Sequence, residues 1–179
     1  MLANSMASSG NNRLHGVLPD DARLWHVCDS PIGPILVVAS EAGVRRIEFV
    51  DDEQAHALKD MMDTSCHLVV EEAMKQLTEY FDGSRTRFSL PLDLHGTDFQ
   101  KDAWLALAQI PFGRTCTYSE QAAFIGRPRA VRAIGTANSK NPIAIVLPCH
   151  RVIGADGSLT GYAGGMDKKK WLLDHESNR

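Results

Sequence analysis

A cysteine and a histidine stand side by side in the segment IVLPCHRVIG, residues 145–154. The nucleophilic form of cysteine is the thiolate, so a working Cys149 needs a base or a positive environment that lowers its ordinary pKa of about 8.5. His150 is the obvious candidate base, although adjacent side chains rarely point the same way and a bridging water is the easier proton relay. Glu176 is a suitable third group, because a carboxylate that accepts one ring N–H leaves the other ring nitrogen as an acceptor. These residues predict nucleophilic chemistry at a thiol.

Two other interpretations of Cys149 stay open from these residues alone. Cysteine is among the most often buried residue types, and a cysteine beside an apolar run is more often inert than reactive. The set Cys149, His150 and Glu176 would also suit a thiol hydrolase, although the adjacent placement of cysteine and histidine disfavours it. The flanks favour reactivity, because Pro148 ends the apolar run and the glycine-rich stretch LTGYAGG follows at residues 159–165. Such an arrangement predicts a thiol at the floor of a pocket.

The elements that must position these residues include a helical corner upstream of them. The pattern predicts a short helix over Ser119–Ile125, a tight turn at Gly126, and a second helix that opens at Pro128 and reaches about Ala137. Two short helices joined by a glycine turn are typical of a helix-turn-helix, which either binds DNA or serves as plain packing. Arginines lie on or beside the second helix, and alanines give it a face of small residues that permits close approach to a neighbour or to a groove wall.

The rest of the pattern predicts an α/β unit followed by a mainly α unit. In the first half, short β-branched runs separated by turn-forming clusters predict an antiparallel meander, two helices and a returning strand. In the second half, Thr97 and Gln100 form a capping-box pattern that opens a helix. The predicted strands are Leu24–Cys28, Ile35–Ala39, Val44–Val50, Phe88–Leu92 and Ile143–Leu147, and the other predicted helices are Glu53–Met62, Val69–Phe81 and Asp167–Glu176. We expect residues 1–22 to be a disordered leader, 23–95 the N-terminal α/β domain and 96–179 the C-terminal domain.

Composition limits the class of protein. The chain has 179 residues, of which 44% are hydrophobic and 23% charged, as is ordinary for one or two globular domains. No apolar run approaches the roughly 20 residues needed to cross a bilayer, and the N-terminus lacks a secretory signal, so a cytoplasmic location is expected. The four cysteines contain no C-x-x-C pair, so we expect reduced thiols and no metal site. His26, Cys28, Cys66 and His67 are the residues from which a zinc site could be assembled, and we do not expect them to form one.

Charge is divided unevenly along the chain, although the net charge is only −3. Residues 1–95 carry 8 Lys+Arg against 15 Asp+Glu, whereas residues 96–179 carry 11 against 7. A basic second half fits a polyanionic partner for that half, and chance scatter of surface charge fits equally well. The charged run DKKK at residues 167–170 is interpreted as a solvated face of the last helix.

Five segments together resemble the O6-alkylguanine-DNA alkyltransferases: GRTCTYSE, RPRAVRAIGTANSKNP, IVLPCHRVIG, LTGYAGG and KKKWLLDHE. The resemblance is continuous from about Thr97 to Glu176, and its Pro-Cys-His-Arg core is highly specific. The segments SPIGPILVV and LTEYFDGSRTRFSLPLDL are more weakly similar to the first domain of that family. The implied fold is an α/β, ribonuclease-H-like N-terminal domain followed by a mainly α C-terminal domain with a winged-helix-like helix-turn-helix.

The resemblance implies direct reversal of DNA alkylation. The thiolate takes the alkyl group from O6 of guanine, and less readily from O4 of thymine, in one irreversible transfer that consumes the protein. The implied partner is double-stranded DNA that carries the lesion, with no membrane partner and no cofactor. A monomer in solution is expected, and cooperative assembly on DNA stays open. The alternatives are a noncatalytic helix-turn-helix protein that binds DNA lesions and, less favoured, the thiol hydrolase.

The resemblance also assigns roles to individual residues. It implies that Cys149 is the nucleophile, that His150 is the base acting through water, and that Glu176 orients His150. It further implies that Asn141 braces the turn between the corner and the active site, and that Tyr118 faces the target base and donates a proton as guanine leaves.

The implied DNA and substrate contacts lie on both sides of this set. Arg132 fills the gap left by a flipped nucleotide, and Ser119 and Arg127 are further DNA-binding residues. The residues implied to line the substrate pocket are Val152, Tyr162 and Ala163. The family often has serine where Ala163 stands, but a contact made by the backbone N–H survives that exchange.

Overall fold

The computed structural model describes residues 24–61 and 67–178. The leader predicted for residues 1–22 lies outside these ranges, and so does Cys66, one of the four residues considered above as a zinc site. No helix within the described ranges combines the length and the hydrophobicity needed to cross a bilayer.

An antiparallel sheet opens the fold, as the sequence predicts. Its strands are β1 (Leu24–Cys28), β2 (Ile35–Ser40) and β3 (Gly43–Phe49), in the order β1-β2-β3. Residues 35–39 of β2 are all buried, because both faces of the sheet are covered. Helix α1 (Asp52–Met61) packs on one face, and helix α2 (Leu68–Asp82) packs on the other. The apolar, β-branched β2 is therefore the centre of this layer.

The strand predicted for Phe88–Leu92 is wrong, because only Leu92 makes a bridge, to Val44 of β3. At Ser89, the buried side-chain amide of Gln76 on α2 makes the backbone hydrogen bonds that a neighbouring strand would otherwise make. Gln76 Nε2 donates to the Ser89 carbonyl at 3.0 Å, and the Ser89 N–H donates to Gln76 Oε1 at 2.8 Å. A side chain that supplies both hydrogen bonds removes the need for a ladder there.

The second half is mainly helical. Thr97 and Gln100 form the predicted capping box at the start of the first helix, in which each side chain satisfies a backbone N–H of the other residue. The elements in chain order are α3 (Asp98–Leu107), β4 (Cys116–Thr117), α4 (Tyr118–Phe124), α5 (Val131–Ser139), β5 (Val152–Ile153) and α6 (Met166–Ser177). Strands β4 and β5 pair in parallel, which ties the start of α4 to the residues just after Cys149.

Helices α4 and α5 form the predicted corner, with Gly126 at a positive φ of 70° between them. The second helix begins at Val131, so the predicted start at Pro128 is wrong. The Ala130 N–H donates to the Arg127 carbonyl at 2.9 Å and closes a separate turn before the helix opens. This turn lengthens the exposed link between the two helices.

The strand predicted for Ile143–Leu147 is also wrong. Ile143 makes one bridge to Ile47 of β3, and the following residues form turns. Ile145 is buried with φ 71°, a left-handed conformation that a β-branched residue rarely adopts and that ends any extended pairing. The chain is thereby turned toward the Cys-His pair.

The main core is continuous across the two halves of the chain. The Ile47 N–H donates to the Pro142 carbonyl at 2.9 Å, and the Ala144 N–H donates to the Ile47 carbonyl at 2.8 Å. Core side chains come from the sheet, from α2, from α3, from the turns before the Cys-His pair and from α6; they include Val37, Leu77, Tyr80, Trp104, Leu107, Leu147 and Leu172. Cys149 and its neighbours therefore lie where the two halves pack together.

Candidate active site

Cys149 begins a 3₁₀ turn, Cys149–Arg151, directly after Pro148. Its thiol is braced by Asn141, whose Nδ2 lies 3.2 Å from Sγ and donates to the Leu147 carbonyl at 2.7 Å. Asn141 Oδ1 accepts the Ile143 N–H at 3.1 Å, so one side chain ties both ends of the loop. The structure therefore places Asn141 beside Cys149, in the loop that follows α5.

His150 and Glu176 meet although 26 residues separate them. His150 is completely buried, and Glu176 on α6 is 2% exposed. His150 Nε2 lies 2.8 Å from Glu176 Oε1, so the Nε2–H donates a hydrogen bond to the carboxylate and Nδ1 is the acceptor of the neutral ring. Nδ1 has no hydrogen-bond partner among the described residues. The geometry supplies a histidine that is already oriented to receive a proton.

Three further donors serve the Glu176 carboxylate, and sequence reasoning missed all of them. The Arg151 guanidinium pairs with it at 2.8 Å from Nε to Oε2 and at 3.0 Å from Nη2 to Oε1. The Tyr80 hydroxyl of α2 donates to Oε1 at 2.7 Å, and the Gly113 N–H donates to Oε2 at 3.1 Å. The 3₁₀ turn explains Arg151, because it directs the residue after His150 inward.

Burial and these contacts set the charges of Cys149, His150 and Glu176, which together are called the relay. Burial raises the pKa of Cys149, against the opposing Asn141 hydrogen bond and the Lys169 charge, whereas burial lowers the pKa of His150 and Glu176 opposes it. Burial also acts to raise the pKa of Glu176, but the contacts with His150 and Arg151 outweigh it and lower that pKa to about 2. The resting state is therefore a neutral thiol, a neutral imidazole and an ionised carboxylate.

Tyr162 lies next to His150. Its ring lies perpendicular to the His150 ring with 6.5 Å between centroids, and it also packs edge-on against Phe49 of β3. Its buried hydroxyl has no hydrogen-bond partner among the described residues. A buried phenol that is free to donate gives the site a polar group for a bound ligand.

The other residues predicted for the pocket and the chemistry are Val152, Ala163 and Tyr118. Val152 is buried in β5, and Ala163 is exposed in the glycine-rich loop. Tyr118 opens α4 and donates its hydroxyl to the Thr160 carbonyl at 3.2 Å, so the corner contacts that loop directly. Ala163 lines a cavity of about 350 Å³ together with Asn141.

Lys169 corrects one prediction, because it belongs to the DKKK run that was interpreted as solvated. Its side chain is fully buried, and Nζ donates to the Val152 carbonyl at 2.7 Å and to the Thr160 carbonyl at 2.8 Å. Burial lowers its pKa, and the neighbouring Cys149 opposes this shift. A lysine inside a charged run gives no sequence signal that separates it from exposed neighbours.

The predicted DNA-binding residues lie on the corner, away from the relay. Arg132, Ser119 and Arg127 are exposed, and Arg127 lies over the Phe99 ring at 6.0 Å from the centroid. Ser119 Oγ is 2.9 Å from the hydroxyl of Thr117, the residue that caps α4. The structure thus separates an enclosed chemical site from an exposed basic surface.

No group of three or more His, Cys, Asp or Glu residues within residues 24–61 and 67–178 is arranged to hold a metal ion. Of the four residues considered above as a zinc site, His26 and Cys28 lie on β1.

Comparisons with known proteins bear on both halves of the chain. Residues 24–94 match the ribonuclease-like domain of 6-O-methylguanine DNA methyltransferase, and residues 98–178 match its DNA binding domain. A methylated-DNA–protein-cysteine methyltransferase of Methanosarcina barkeri is 48% identical over 155 residues, which cover 86% of this chain and 97% of the relative. The chain belongs to the 6-O-methylguanine DNA methyltransferase family.

Other relatives agree with this membership. The methyltransferase of the same description from Mycobacterium leprae is 44% identical over 151 residues, which cover 84% of this chain and 90% of that protein. The solved structure of Mycobacterium tuberculosis OGT in complex with DNA is 42% identical, covers 86% of this chain and 92% of its own, and superposes with a TM-score of 0.74. The predicted fold class, an α/β ribonuclease-like part followed by a helical part with a helix-turn-helix, is confirmed.

Proposed function

We propose that this protein repairs DNA by transferring an alkyl group from O6 of guanine, and less readily from O4 of thymine, to its own Cys149. The observation that carries the proposal is the buried contact between His150 and Glu176 beside a braced cysteine. Membership of the family, and the DNA bound by the similar M. tuberculosis protein, support the assignment of the substrate. The protein acts without a cofactor.

The chemistry begins with the thiol proton. His150 Nδ1 accepts it through a water, and Glu176 stabilises the imidazolium that forms. The Cys149 thiolate attacks the alkyl carbon, a carbon–sulfur bond forms, and the carbon–oxygen bond breaks with its electron pair going to guanine. The departing guanine takes up a proton, which the Tyr118 hydroxyl can donate. The His150 imidazolium then gives up its proton, which restores the Tyr118 hydroxyl. Because water does not cleave the resulting thioether, each molecule acts once.

The DNA must deform for this transfer. An alkyl carbon inside the base stack is beyond the reach of Cys149, so the nucleotide rotates out at a cost of a few kcal/mol that damaged pairing partly relieves. Helix α5 approaches the minor groove through its small residues, and Arg132 occupies the gap in the stack. Ser119 and Arg127 contact the DNA beside it. Backbone groups of Cys149, Val152 and Ala163 then hold the flipped base against Tyr162.

A division of the chain near residues 92–97 accompanies this proposal. Residues 23–95 form an N-terminal domain, and residues 96–179 form the domain that binds DNA and accepts the alkyl group. The protein works in the cytoplasm as a monomer in solution. The set Cys149, His150 and Glu176 also suits a hydrolase, but a hydrolase turns over repeatedly whereas a thioether ends the reaction.

Mass spectrometry tests the proposal directly. The protein is incubated with a duplex that contains O6-methylguanine, digested, and compared with a sample incubated with the unmodified duplex. One added methyl group is expected on the peptide that contains Cys149, with a stoichiometry that does not exceed one. An unmodified Cys149 peptide, or repeated turnover of the lesion, would contradict the proposal.

A further inference from the structure

Tyr80 connects the first half of the chain to the relay of the second half. It lies in α2, its side chain is fully buried, and its hydroxyl donates to Glu176 Oε1 at 2.7 Å. The two residues are 96 positions apart, and the described residues before α3 provide no other hydrogen bond to this carboxylate. The contact is therefore a specific contribution of the N-terminal half to the proposed chemistry.

The ring of Tyr80 is held firmly in this position. Four rings surround it with centroids 5.3 to 6.1 Å away, those of Phe81, Phe88, Phe112 and His175. His175 Nε2 also lies 2.9 Å from the Tyr80 carbonyl oxygen. Burial first, and then the charge and hydrogen bond of Glu176, raise the pKa of the phenol far above its ordinary range. Tyr80 is consequently a fixed donor that keeps its proton.

This donor changes what Glu176 does to His150. Glu176 Oε1 accepts from Tyr80, from Nε2 of His150 and from Nη2 of Arg151, so its negative charge is shared among three donors. Each added donor stabilises the carboxylate and reduces its affinity for a further proton. A carboxylate with a lower proton affinity stabilises the His150 imidazolium less, so His150 stays neutral down to a lower pH.

We propose that Tyr80 is a positioning residue for the alkyl transfer: its hydroxyl shares the charge of Glu176 Oε1, so that Nδ1 of His150 stays unprotonated and accepts the thiol proton. The inference rests on the proposed function, because it assigns His150 as the base. Tyr80 acts through Glu176 and does not contact the reacting atoms.

Several charged or titratable groups face this relay and share control of its pH dependence. Arg151 comes from the 3₁₀ turn, Lys169, His175 and Glu176 from α6, Tyr80 from α2 and Tyr162 from the glycine-rich loop, with Cys149 beside His150. Arg151 and Lys169 both oppose protonation of His150. Removal of the Tyr80 hydroxyl leaves these cations in place, so a change in the His150 pKa reports on Glu176.

The test is Tyr80→Phe, which keeps the ring and removes the donor. Single-turnover transfer from an O6-methylguanine duplex is measured from about pH 4 to about pH 9, a range that extends below the ordinary titration of histidine because burial lowers the pKa of His150. We expect the acid limb of the rate profile to move upward by about one pH unit, with a loss of about tenfold at low pH and little change at high pH, as for loss of one hydrogen bond to a charged group.

Phe88→Leu is the matched control, because Phe88 packs against the Tyr80 ring at 5.5 Å between centroids and makes no hydrogen bond to Glu176. It should lower the unfolding temperature and leave the acid limb where it is. A Tyr80→Phe profile that falls uniformly, as a packing defect would, overturns the proposal. The double variant with Glu176→Gln should be no slower than Glu176→Gln alone, whereas additive losses would show that Tyr80 acts elsewhere.

A measurement without DNA separates this proposal from the proposed function. The His150 ring is titrated by NMR in the free protein, and its pKa is expected to be higher in Tyr80→Phe than in the unsubstituted chain. An unchanged titration overturns the role of Tyr80 even if Cys149 accepts the methyl group. Failure of the unsubstituted chain to accept a methyl group removes the proposed function, and the titration then still decides the contact.

Discussion

The relay around Glu176 and the corner of α4 and α5 are built on opposite principles. In the relay, His150 and Glu176 are almost completely buried, and the carboxylate receives donors from α2, the 3₁₀ turn and the loop before β4. In the corner, Arg127, Ser119 and Arg132 are exposed. A buried charge requires a complete set of partners, whereas an exposed charge is solvated and free to meet DNA. The comparison teaches that substitutions in the relay should affect both stability and chemistry, whereas substitutions of the exposed arginines in the corner should affect binding alone.

The largest expected effect is that of Cys149→Ser. Methyl transfer should fall below detection, because a serine hydroxyl is a far weaker nucleophile than a thiolate at this site. Affinity for an O6-methylguanine duplex, measured by fluorescence anisotropy, should stay within about twofold of the original, because the corner is untouched. Loss of binding together with transfer would break the separation between the two regions.

Glu176→Gln should have the second-largest effect, because it should lower both the unfolding free energy and the rate of methyl transfer. It leaves the buried Arg151 guanidinium without its countercharge, which typically costs about 3 kcal/mol or more of unfolding free energy. Urea unfolding and single-turnover transfer measure the two losses. The matched control is Asp174→Asn on the same helix, where the carboxylate is exposed and pairs only loosely with Lys170 at 3.4 Å; it should be close to neutral.

The pH dependence of stability tests the same Glu176 carboxylate. The folded pKa of Glu176 is lowered to about 2, below its unfolded value of about 4.3. Its contribution to stability is therefore fully present above the unfolded pKa and is lost as the pH falls toward 2. Glu176→Gln should flatten this part of the curve of stability against pH, and a curve of unchanged slope would show that the pair does not control it.

Asn141→Ala should have an intermediate effect. It removes the donor to the Leu147 carbonyl, at a cost of about 1–3 kcal/mol for the unsatisfied group, and it removes the hydrogen bond that opposes a higher thiol pKa at Cys149. The iodoacetamide reactivity of Cys149 against pH should shift upward. Ser139→Ala is the control, because its exposed hydroxyl donates to the Thr136 carbonyl, and it should leave the thiol unchanged.

Arg132→Ala should have the smallest effect on the fold. Because Arg132 is exposed on α5, unfolding free energy should change by less than about 0.5 kcal/mol. Affinity for damaged duplex should fall about tenfold, or about 1.4 kcal/mol, with a shallower dependence on salt. Lys75→Ala, an exposed cation on α2, is the control and should bind as before. Equal losses for the two variants would indicate general electrostatic attraction in place of a specific contact.

Local patterns predicted most of the helices and the first three strands, because capping residues, glycine and hydrophobic period act within a few residues. The capping box at Thr97 and the helical corner follow from such signals. The strands predicted for Phe88–Leu92 and Ile143–Leu147 failed for a different reason. An apolar run becomes a strand only if it stays extended and a partner supplies its hydrogen bonds. Here the Gln76 side chain took the place of the partner at Ser89, and the left-handed conformation of Ile145 ended the extended backbone.

The sequence by itself determined the type of chemistry. Cys149, His150 and Glu176, with their flanks, predicted thiol chemistry but left an inert cysteine and a thiol hydrolase open. The resemblance of five segments to the family implied which of them is nucleophile, base and orienting group. Only the tertiary structure decided that Tyr80, Arg151 and Lys169 turn inward to surround that relay. Their positions depend on the packing of α2 and α6 across the chain, and residues as distant as Tyr80 and Glu176 leave no local signal of the contact that joins them.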